Sequence, residues 1–321
     1  MNAITLPRYG PAESALQLEQ LDIPTPADEQ VLVRVRAASV NAGDWHRMRG
    51  MPLLVRTSEG LRTPKARGFG SDAAGVVEEV GSSVTDLQVG DAVFGMRLGA
   101  FAEYVAGRTF VAKPTNLGFE ESAAIPVAGI TALQGLRDKG GLAPGQRVMV
   151  TGASGGVGHL AVQIAKALGA SHVTGVCGTN NVEMVRALGA DEVIDYTRED
   201  YTQARGRYDL VLDVGGGRSL RATQRVLTPK GTLVVVGGPG HGWLAPADRL
   251  VKGIVLSRFS SRRIVVFIAR AAKDDLVTLR ELAEGGQLRP VIDRRYPLSE
   301  TAEAVRYVEG MHTRGKVVIT I

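Results

Sequence analysis

The chain has 321 residues, of which 44% are hydrophobic, and this length predicts two domains that each bury a core. The net charge of +5 comes from basic residues spread along the chain, which does not favour nucleic-acid binding. The single cysteine, Cys177, excludes an intrachain disulfide and a metal site built from several thiolates. The sequence shows neither a signal peptide nor an apolar run long enough to span a bilayer, so we expect a cytoplasmic protein.

Residues 28 to 113 consist of short predicted strands separated by turns. EQVLVRVRAASV and AAGVVEEVGSSV combine alternating and apolar stretches, and GDAVFGM and GAFAEYVAG follow at short spacing. Short strands punctuated by glycine are typical of a small, partly closed antiparallel barrel or sandwich. We therefore predict that the first domain is mainly antiparallel β-structure.

The pattern changes after residue 120, where strands and helices begin to alternate. The apolar strands RVMVTG, HVTGVC, YDLVLDV and TLVVVG are separated by amphipathic segments such as VGHLAVQIAKALGA. This alternation predicts an α/β fold with a doubly wound parallel sheet, covered by helices on both faces. We predict that residues 121–262 form this sheet domain and that 1–120 form the first domain. Residues 263–321 add the last strand and helix of the sheet domain and then return to the first domain.

A glycine-rich turn joins the first strand of the parallel sheet to its helix. Ala153, Gly155 and Gly158 form the pattern A-x-G-x-x-G directly after the strand and before the helix. In a dinucleotide-binding turn, Gly155 lets the backbone approach a pyrophosphate and Gly158 lets the helix pack against the strand. The alternative is a tight turn without a ligand. We predict that Ala153, Ser154, Gly155, Gly156, Val157 and Gly158 bind a dinucleotide.

The end of the second parallel strand bears on which dinucleotide is bound. NAD enzymes usually place an acidic side chain here for the ribose 2′-hydroxyl, whereas this chain has the uncharged stretch GVCGTNN. A 2′-phosphate would meet no repulsion and several hydrogen-bond donors, so NADP is favoured over NAD. For the cysteine, the alternative is a small buried residue at a strand end. The residues assigned to the cofactor here are Cys177, Gly178, Thr179, Asn180 and Asn181.

These segments together resemble a known family. The matching stretches include ASVNAGDWHRMRG, GFGSDAAGVVEEVGSSVTDLQVGDAVFG, VTGASGGVGHLAVQIAKALGA, LGADEVIDY and GKVVITI. They are similar, nearly end to end, to the medium-chain dehydrogenase/reductase superfamily and in particular to its zinc-free quinone oxidoreductase branch. The resemblance implies a GroES-like, barrel-type catalytic domain formed by both chain ends. It also implies a Rossmann domain between them and a cofactor in the cleft.

The resemblance also bears on metal binding. In the zinc alcohol dehydrogenases of this superfamily, the positions of the catalytic ligands fall near Asn41, Ser71 and Val127 of this chain. Asp72 alone cannot replace the set, because tetrahedral zinc takes several nitrogen or sulfur ligands. The five histidines show no ligand spacing. We therefore expect no metal.

Without a Lewis acid, oxidation of a simple alcohol is difficult, whereas reduction of an electron-poor acceptor is easier. NADPH can deliver hydride to a quinone or an α,β-unsaturated ketone while the negative charge spreads to an oxygen held by hydrogen-bond donors. We expect a zinc-independent, NADPH-dependent oxidoreductase that reduces quinones or α,β-unsaturated carbonyl compounds.

Two residues near the start of the chain are candidate catalytic residues. Asn41 stands where related zinc-free reductases place an asparagine near the nicotinamide, so its amide would orient the ring or the substrate oxygen. A turn residue in SVNAGD is the open alternative. His46 can donate to the developing enolate, although relatives often carry an aromatic hydroxyl near this position. For Asp44 and Trp45 we favour a helix cap and core packing over catalysis.

The resemblance implies further cofactor contacts. They come from the helix that meets the nicotinamide ribose, from the tyrosine of VIDY near the 2′-phosphate, and from two segments that reach the cofactor cleft. The glycines after the fifth parallel strand suit the nicotinamide half, with turn formation as the alternative. The alternatives are an aromatic residue at a strand end for the tyrosine and a solvated surface position for the lysine of GKVVITI. The residues concerned are Pro126, Thr131, Tyr196, Gly237, Gly238, Phe259 and Lys316.

Other functions stay open. Within enzymes, the chain is compatible with reduction of enoyl thioesters. It is also compatible with an NADPH-binding protein without useful turnover, such as a sensor or an RNA-binding relative, although nucleic acid is an unlikely partner. We expect a small electrophilic substrate, no membrane partner, and a homodimer formed through the predicted edge strand IVVFIA.

Overall fold

The computed structural model describes residues 1–53, 55–237 and 262–321. It separates into two compact units, one made of Met1–Ile130 with Ala271–Ile321 and the other of Thr131–Arg270. The sequence predicts that the first domain ends after residue 120 and that the chain returns to it within residues 263–321. In the structure the chain changes unit after Ile130 and again after Arg270. In the described part of the chain, no helix is both long and apolar enough to cross a membrane.

The secondary-structure elements of the described residues are as follows. The strands are β1 (Asn2–Thr5), β2 (Gln17–Gln20), β3 (Val31–Val40), β4 (Asp72–Val80), β5 (Ala92–Met96), β6 (Tyr104–Gly107), β7 (Phe110–Ala112), β8 (Arg147–Thr151), β9 (His172–Cys177), β10 (Glu192–Asp195), β11 (Tyr208–Asp213), β12 (Leu227–Val235), β13 (Arg263–Val266), β14 (Ile292–Pro297) and β15 (Lys316–Thr320). The helices are α1 (Ala12–Ala15), α2 (Ala42–Arg49), α3 (Val55–Glu59), α4 (Phe119–Ala123), α5 (Pro126–Leu133), α6 (Gly158–Ala167), α7 (Val182–Ala187), α8 (Leu220–Gln224), α9 (Lys273–Glu284) and α10 (Thr301–Glu309). A π-helical turn, Gln134–Lys139, continues α5.

The first unit is built on a seven-stranded sheet in the order β14-β15-β3-β4-β5-β7, with β6 also paired to β3. Neighbouring strands run antiparallel except for β14 and β15, which are parallel. The prediction of a mainly antiparallel, GroES-like domain formed by both chain ends is confirmed. Val317 of β15 lies opposite Val40 of β3, and Ser39 of β3 lies opposite Asp72 of β4. The ends of three strands from distant parts of the sequence therefore meet.

A hydrophobic core supports this corner of the sheet. Trp45 and Met48 of α2 are buried in one cluster with Phe69 and Phe101. Trp45 is 5% exposed, which agrees with the core role that we favour for it from the sequence. Because α2 begins directly after β3 and its apolar side chains are buried here, the residues at its amino-terminal end are held in place from both sides.

The second unit contains a six-stranded sheet in the order β10-β9-β8-β11-β12-β13, and every neighbouring pair is parallel. Its central strand β8 carries Val148, Met149 and Val150, which have no exposed surface. Continuous burial of this kind explains the run of apolar residues in the sequence. The predicted doubly wound Rossmann sheet is confirmed.

Candidate dinucleotide site and candidate catalytic cluster

The turn between β8 and α6 has the backbone form that its glycines suggest. Gly152 has a φ of 66°, in the region that favours glycine. A Cβ at Gly158 would overlap the carbonyl oxygen of Gly152, so only glycine allows the helix to start this close to the strand. At Gly155 a Cβ would lie 3.5 Å from the same oxygen, which is ordinary contact. The close packing therefore requires Gly158, whereas Gly155 leaves room above the turn.

The same turn leaves hydrogen-bond donors available. Within the described part of the chain, the N–H groups of Gly156 and Val157 donate to no other atom. They precede α6, whose first-turn N–H groups carry the positive end of the helix dipole. Ala153 is fully buried and its N–H donates to Val176 of β9, which ties the turn to the sheet. Donors beside an open glycine backbone fit the pyrophosphate of a dinucleotide.

The stretch after β9 lies at the carboxyl end of the neighbouring strand. Cys177 is 1% exposed, and burial raises the pKa of its thiol to about 11. Thr179 begins a short 3₁₀ turn, Thr179–Asn181. The phenolic oxygen of Tyr196 would lie 3.4 Å from a Cβ at Gly178, so the ring edge covers the Gly178 backbone. The structure thus brings together the predicted adenosine residues of β9 and β10.

Asp195, at the end of β10, is a carboxylate that the sequence reasoning missed. It pairs with Cys177 in the parallel register, and its oxygens accept hydrogen bonds from Thr179 Oγ1 at 2.6 Å and from the N–H and Oγ1 of Thr197 at 3.0 and 2.7 Å. The hydroxyl of Thr179 and then the groups of Thr197 lower the pKa of Asp195. The carboxylate is therefore engaged within the protein, although it lies beside the segment that would recognise the ribose.

Arg198 is a second residue that the sequence reasoning missed. Its Nε lies 3.4 Å from Asp195 Oδ2, and its side chain is 74% exposed. The stretch GVCGTNN contains no cation, but strand pairing brings Arg198 to its edge. The sequence shows only that Arg198 follows shortly after the tyrosine of VIDY. This position indicates proximity to GVCGTNN only once β10 is known to lie beside β9.

In the first unit, Asn41, Asp72 and Lys316 form a buried polar cluster, which we call the Asn41 cluster together with Ser39 and Asp44. Lys316 Nζ donates to Asn41 Oδ1 at 2.5 Å and lies 3.5 Å from Asp72 Oδ2. Asn41 Nδ2 donates to Asp72 Oδ2 at 2.8 Å and to the carbonyl oxygen of Ser39 at 3.3 Å. Ser39 Oγ also donates to Asp72 Oδ2, at 2.9 Å.

Of the three positions that the resemblance relates to zinc ligands, Asn41 belongs to this cluster, and Ser71 and Val127 contact its carboxylates. The N–H of Val127 donates to Asp72 Oδ1 at 2.9 Å, directly after the buried Pro126 that begins α5. Ser71 Oγ donates to Asp44 Oδ1 at 3.4 Å. Within the described residues, no group of three or more His, Cys, Asp or Glu side chains could hold a metal ion.

Asp44 caps helix α2. Its Oδ2 accepts a 2.7 Å hydrogen bond from the backbone N–H of Asn41, the residue before the helix. This is the helix-capping role that we favour for it from the sequence. Asp44 is 4% exposed, and burial raises the pKa of its carboxyl group to about 7. The proximity of Asp72 raises this pKa further, whereas the Asn41 N–H lowers it.

The ring of His46, in helix α2, contacts Met51 and Trp45. Its Nδ1 lies 3.1 Å from the carbonyl oxygen of Met51, and its ring stacks on Trp45 with ring centroids 3.6 Å apart. The carbonyl can only accept, so Nδ1 carries the proton and Nε2 of the neutral ring is an acceptor.

The remaining described candidates lie in the second unit. Thr131 is buried and is the first residue of the second unit. Gly237 follows β12, where a Cβ would lie 3.3 Å from the carbonyl oxygen of Val214. Gly238 and Phe259 lie outside the described residues.

Comparisons with known proteins agree with this arrangement. Residues 27–115 match the family described as alcohol dehydrogenase GroES-like domain, and residues 188–319 match the family described as zinc-binding dehydrogenase. The chain is 33% identical to a chloroplast envelope quinone oxidoreductase homolog from Arabidopsis thaliana, over 99% of this chain and 98% of that protein. It is also 33% identical to an NADPH-dependent alkenal/one oxidoreductase of the same plant, over 99% of this chain and 79% of that protein.

A solved structure of a quinone oxidoreductase also matches the whole chain. The quinone oxidoreductase from Coxiella burnetii superposes with a TM-score of 0.85 at 30% sequence identity, over 100% of this chain and 99% of that one. The match therefore extends through both units. The chain belongs to the medium-chain dehydrogenase/reductase superfamily, in its quinone oxidoreductase-like branch.

Proposed function

We propose that the protein is a zinc-independent, NADPH-dependent oxidoreductase that transfers hydride to quinones or α,β-unsaturated carbonyl compounds. The observation that carries the proposal is the β8–α6 turn, where Gly155 is open and the N–H groups of Gly156 and Val157 are available to a pyrophosphate. The names of the two plant relatives, a quinone oxidoreductase homolog and an alkenal/one oxidoreductase, supply the substrate classes.

The cofactor in this proposal is NADPH in preference to NADH. The carboxylate of Asp195 is occupied by Thr179 and Thr197, so it is poorly placed to accept the 2′-hydroxyl of NADH. The exposed guanidinium of Arg198 and the half-exposed phenol of Tyr196 suit a 2′-phosphate instead. In this proposal the cofactor contacts are residues 154–158 and 178–181, with Asn41, Pro126, Thr131, Tyr196, Gly237 and, outside the described residues, Gly238 and Phe259. Ala153, Cys177 and Lys316, which the sequence also assigned to the cofactor, have almost no exposed surface and support these residues from behind.

When bound, NADPH supplies hydride to an electron-poor carbon, and the negative charge develops on the oxygen conjugated with that carbon. The chain must then hold that oxygen and provide a proton. His46 can donate from Nε2 only as an imidazolium, because Nδ1 is directed at the Met51 carbonyl.

Metal independence is supported by the chemistry of the positions around Asp72. An amide, a hydroxyl and an aliphatic side chain stand at Asn41, Ser71 and Val127, and none is a good zinc ligand. The cation beside these positions is Lys316, whose Nζ lies 3.5 Å from Asp72 Oδ2 within the first unit. This applies although residues 188–319 match a family described as zinc-binding dehydrogenase.

The proposal also includes the localisation and the oligomeric state of the protein. We place the protein in the cytoplasm. We also propose a homodimer, because β13 is an edge strand of the six-stranded sheet among the residues that the structure describes, and Ile268, two residues beyond it, is 83% exposed. Sedimentation analysis of the purified protein would show one species of twice the chain mass.

The activity is tested by following NADPH consumption with phenanthrenequinone and, separately, with an aliphatic enone. NADH replaces NADPH in one control, and EDTA is added in another. We expect turnover with NADPH that survives EDTA. Loss of activity with EDTA, restored by zinc, would contradict metal independence. Tight NADPH binding without any turnover would instead favour a protein that binds the cofactor without reducing a substrate.

A further inference from the structure

Lys316 is a buried cation in the first unit. Its side chain is 2% exposed and that of Asp72 is fully buried. A buried ammonium group is costly unless it is paired and hydrogen-bonded. Burial lowers the pKa of Lys316 below its ordinary value, and the carboxylates of Asp72 and Asp44 only partly offset this effect. The chain nevertheless keeps Lys316, the first residue of β15, against Asp72 and Asn41 in a buried site where an apolar residue would be the simpler solution.

The surroundings of Asn41 permit one orientation of its amide. Oδ1 accepts from Lys316, and Nδ2 donates to Asp72 and to the Ser39 carbonyl. Rotating the amide by half a turn would place Nδ2 against the ammonium group and Oδ1 against the carboxylate. That arrangement sets donor against donor and acceptor against acceptor. Lys316 and Asp72 therefore hold the amide from opposite sides.

This orientation decides what Asn41 can offer to a ligand. Both hydrogens of Nδ2 are used inside the protein, whereas Oδ1 has two lone pairs and Lys316 occupies one of them. Asn41 is therefore an acceptor toward a ligand and not a donor. The oxygen of a quinone or an enone is itself an acceptor, so it does not complement this group. A nicotinamide nucleotide has donors, namely the carboxamide N–H and the ribose hydroxyls.

We propose that Lys316 is a positioning residue, which together with Asp72 holds the Asn41 amide with its oxygen toward a donor group of the nicotinamide nucleotide. The inference rests on the proposed function, because it assumes that a nicotinamide cofactor is used. It assigns Asn41 to orienting the cofactor and not to stabilising the substrate oxygen. Lys316 itself acts through Asn41.

The first test compares Asn41→Ala and Lys316→Met with the wild type on two acceptors, phenanthrenequinone and an aliphatic enone. A cofactor that is poorly oriented transfers hydride poorly to every acceptor, so we expect kcat to fall by about tenfold or more with both. The ratio of the two kcat values should change less than about threefold. With deuterated NADPH, the isotope effect on kcat should increase because hydride transfer becomes slower.

A double-mutant cycle tests whether Lys316 acts through Asn41. If it does, Lys316→Met in the Asn41→Ala background should lower kcat by less than about threefold further, because the group it positions is already absent. Lys113→Met is the matched control, since Lys113 is a lysine of the same unit that donates to the carbonyl oxygens of Pro114 and Leu117. This control should keep the wild-type kcat.

The effect of Lys316→Met on stability must be separated from its effect on the position of Asn41, because this variant leaves the buried Asp72 carboxylate without its cation. The double variant Lys316→Met with Asp72→Asn removes both charges. We expect it to regain most of the wild-type melting temperature while kcat stays low. Recovery of both quantities would overturn the proposal, since the pair would then be only structural.

Other outcomes are equally decisive. A loss confined to the enone would mean that the Asn41 cluster serves the substrate oxygen, and additive losses in the double-mutant cycle would mean that Lys316 acts independently of Asn41. Either result contradicts the inference. Absence of turnover in the wild type would instead contradict the proposed function. Wild-type turnover that Lys316→Met leaves unchanged would refute the inference alone.

Discussion

Thr151 Oγ1 donates a 2.6 Å hydrogen bond to Asp213 Oδ1, which joins the carboxyl ends of the adjacent strands β8 and β11. Both side chains are buried. Thr151 Oγ1 also accepts from the N–H of Gly215 at 3.1 Å, and Asp213 Oδ1 accepts from the N–H of Gly216 at 3.2 Å. The glycine turn after β8 and the turn after β11 are therefore fastened to each other.

Thr151→Val keeps the shape of this side chain and removes its hydroxyl group. The buried carboxylate of Asp213 loses a donor, so we expect the free energy of unfolding to fall by about 1.5–3 kcal/mol, measured by urea denaturation. NADPH binding, measured by fluorescence titration, should weaken because the adjacent glycine turn is less firmly held. Thr278→Val is the control, since its hydroxyl donates to a carbonyl oxygen within helix α9. Unchanged NADPH affinity in Thr151→Val would show that the bond serves stability alone.

Two glycines of the same turn should respond differently to alanine. Gly158→Ala forces a methyl group onto the Gly152 carbonyl, so we expect a large fall in melting temperature or failure to fold. Gly155→Ala meets only ordinary contact, so its melting temperature should stay near that of the wild type. Its NADPH affinity should nevertheless fall about tenfold or more, because the methyl group occupies the approach of the pyrophosphate.

The control for this pair is Gly217→Ala, because a Cβ at Gly217 would meet nothing within 4 Å. Thermal melts followed by circular dichroism and NADPH titrations of the three variants give the answer. Wild-type NADPH affinity in Gly155→Ala would place the pyrophosphate elsewhere.

Arg198 should decide how strongly NADPH is preferred. Arg198→Met removes an exposed cation, so we expect the KM for NADPH to rise about tenfold and the KM for NADH to stay nearly constant. Arg205→Met is the control, because this exposed arginine precedes the amino-terminal end of β11, whereas Arg198 follows the carboxyl end of β10. An equal change in both KM values would contradict a role in recognising the 2′-phosphate.

Asp44 should make stability depend on pH in a defined direction. Its pKa is about 7 in the folded protein and near the ordinary value of 3.8 in the unfolded chain, so the folded state holds the proton more tightly. The stability that this group contributes is complete below about pH 4 and is lost as pH rises toward 7, by up to about 1.4 kcal/mol per pH unit.

Asp44→Asn does not titrate, so its stability relative to the wild type should increase between about pH 5 and about pH 8. Urea denaturation of both proteins at each pH measures the difference. A difference that is the same at both pH values would mean that the Asp44 carboxyl group titrates normally in the folded protein.

The local pattern of the sequence was sufficient to predict the types of secondary-structure element and the glycine turn after β8. Continuous apolar strands such as RVMVTG predict a parallel sheet because burial on both faces leaves no polar alternation. The spacing of Gly155 and Gly158 predicts the turn because those requirements arise within a few residues of backbone. The capping role of Asp44 depends on an equally local relation and agrees with the structure. The core role of Trp45 is expected from its residue type and also agrees with the structure.

Strand pairing determines which side chains meet in each site, and no local sequence pattern specifies that pairing. Lys316 reaches Asn41 across 275 residues of sequence because β15 pairs with β3, and Asp72 joins them because β4 lies on the other side of β3. Asp195 and Arg198 bear on cofactor choice because β10 lies beside β9. The sequence by itself determined the types of element and the positions of the tight turns, since these follow from backbone conformation and periodic burial. Only the tertiary structure decided which charged side chains meet, because register and strand order are set by packing among residues far apart in the chain.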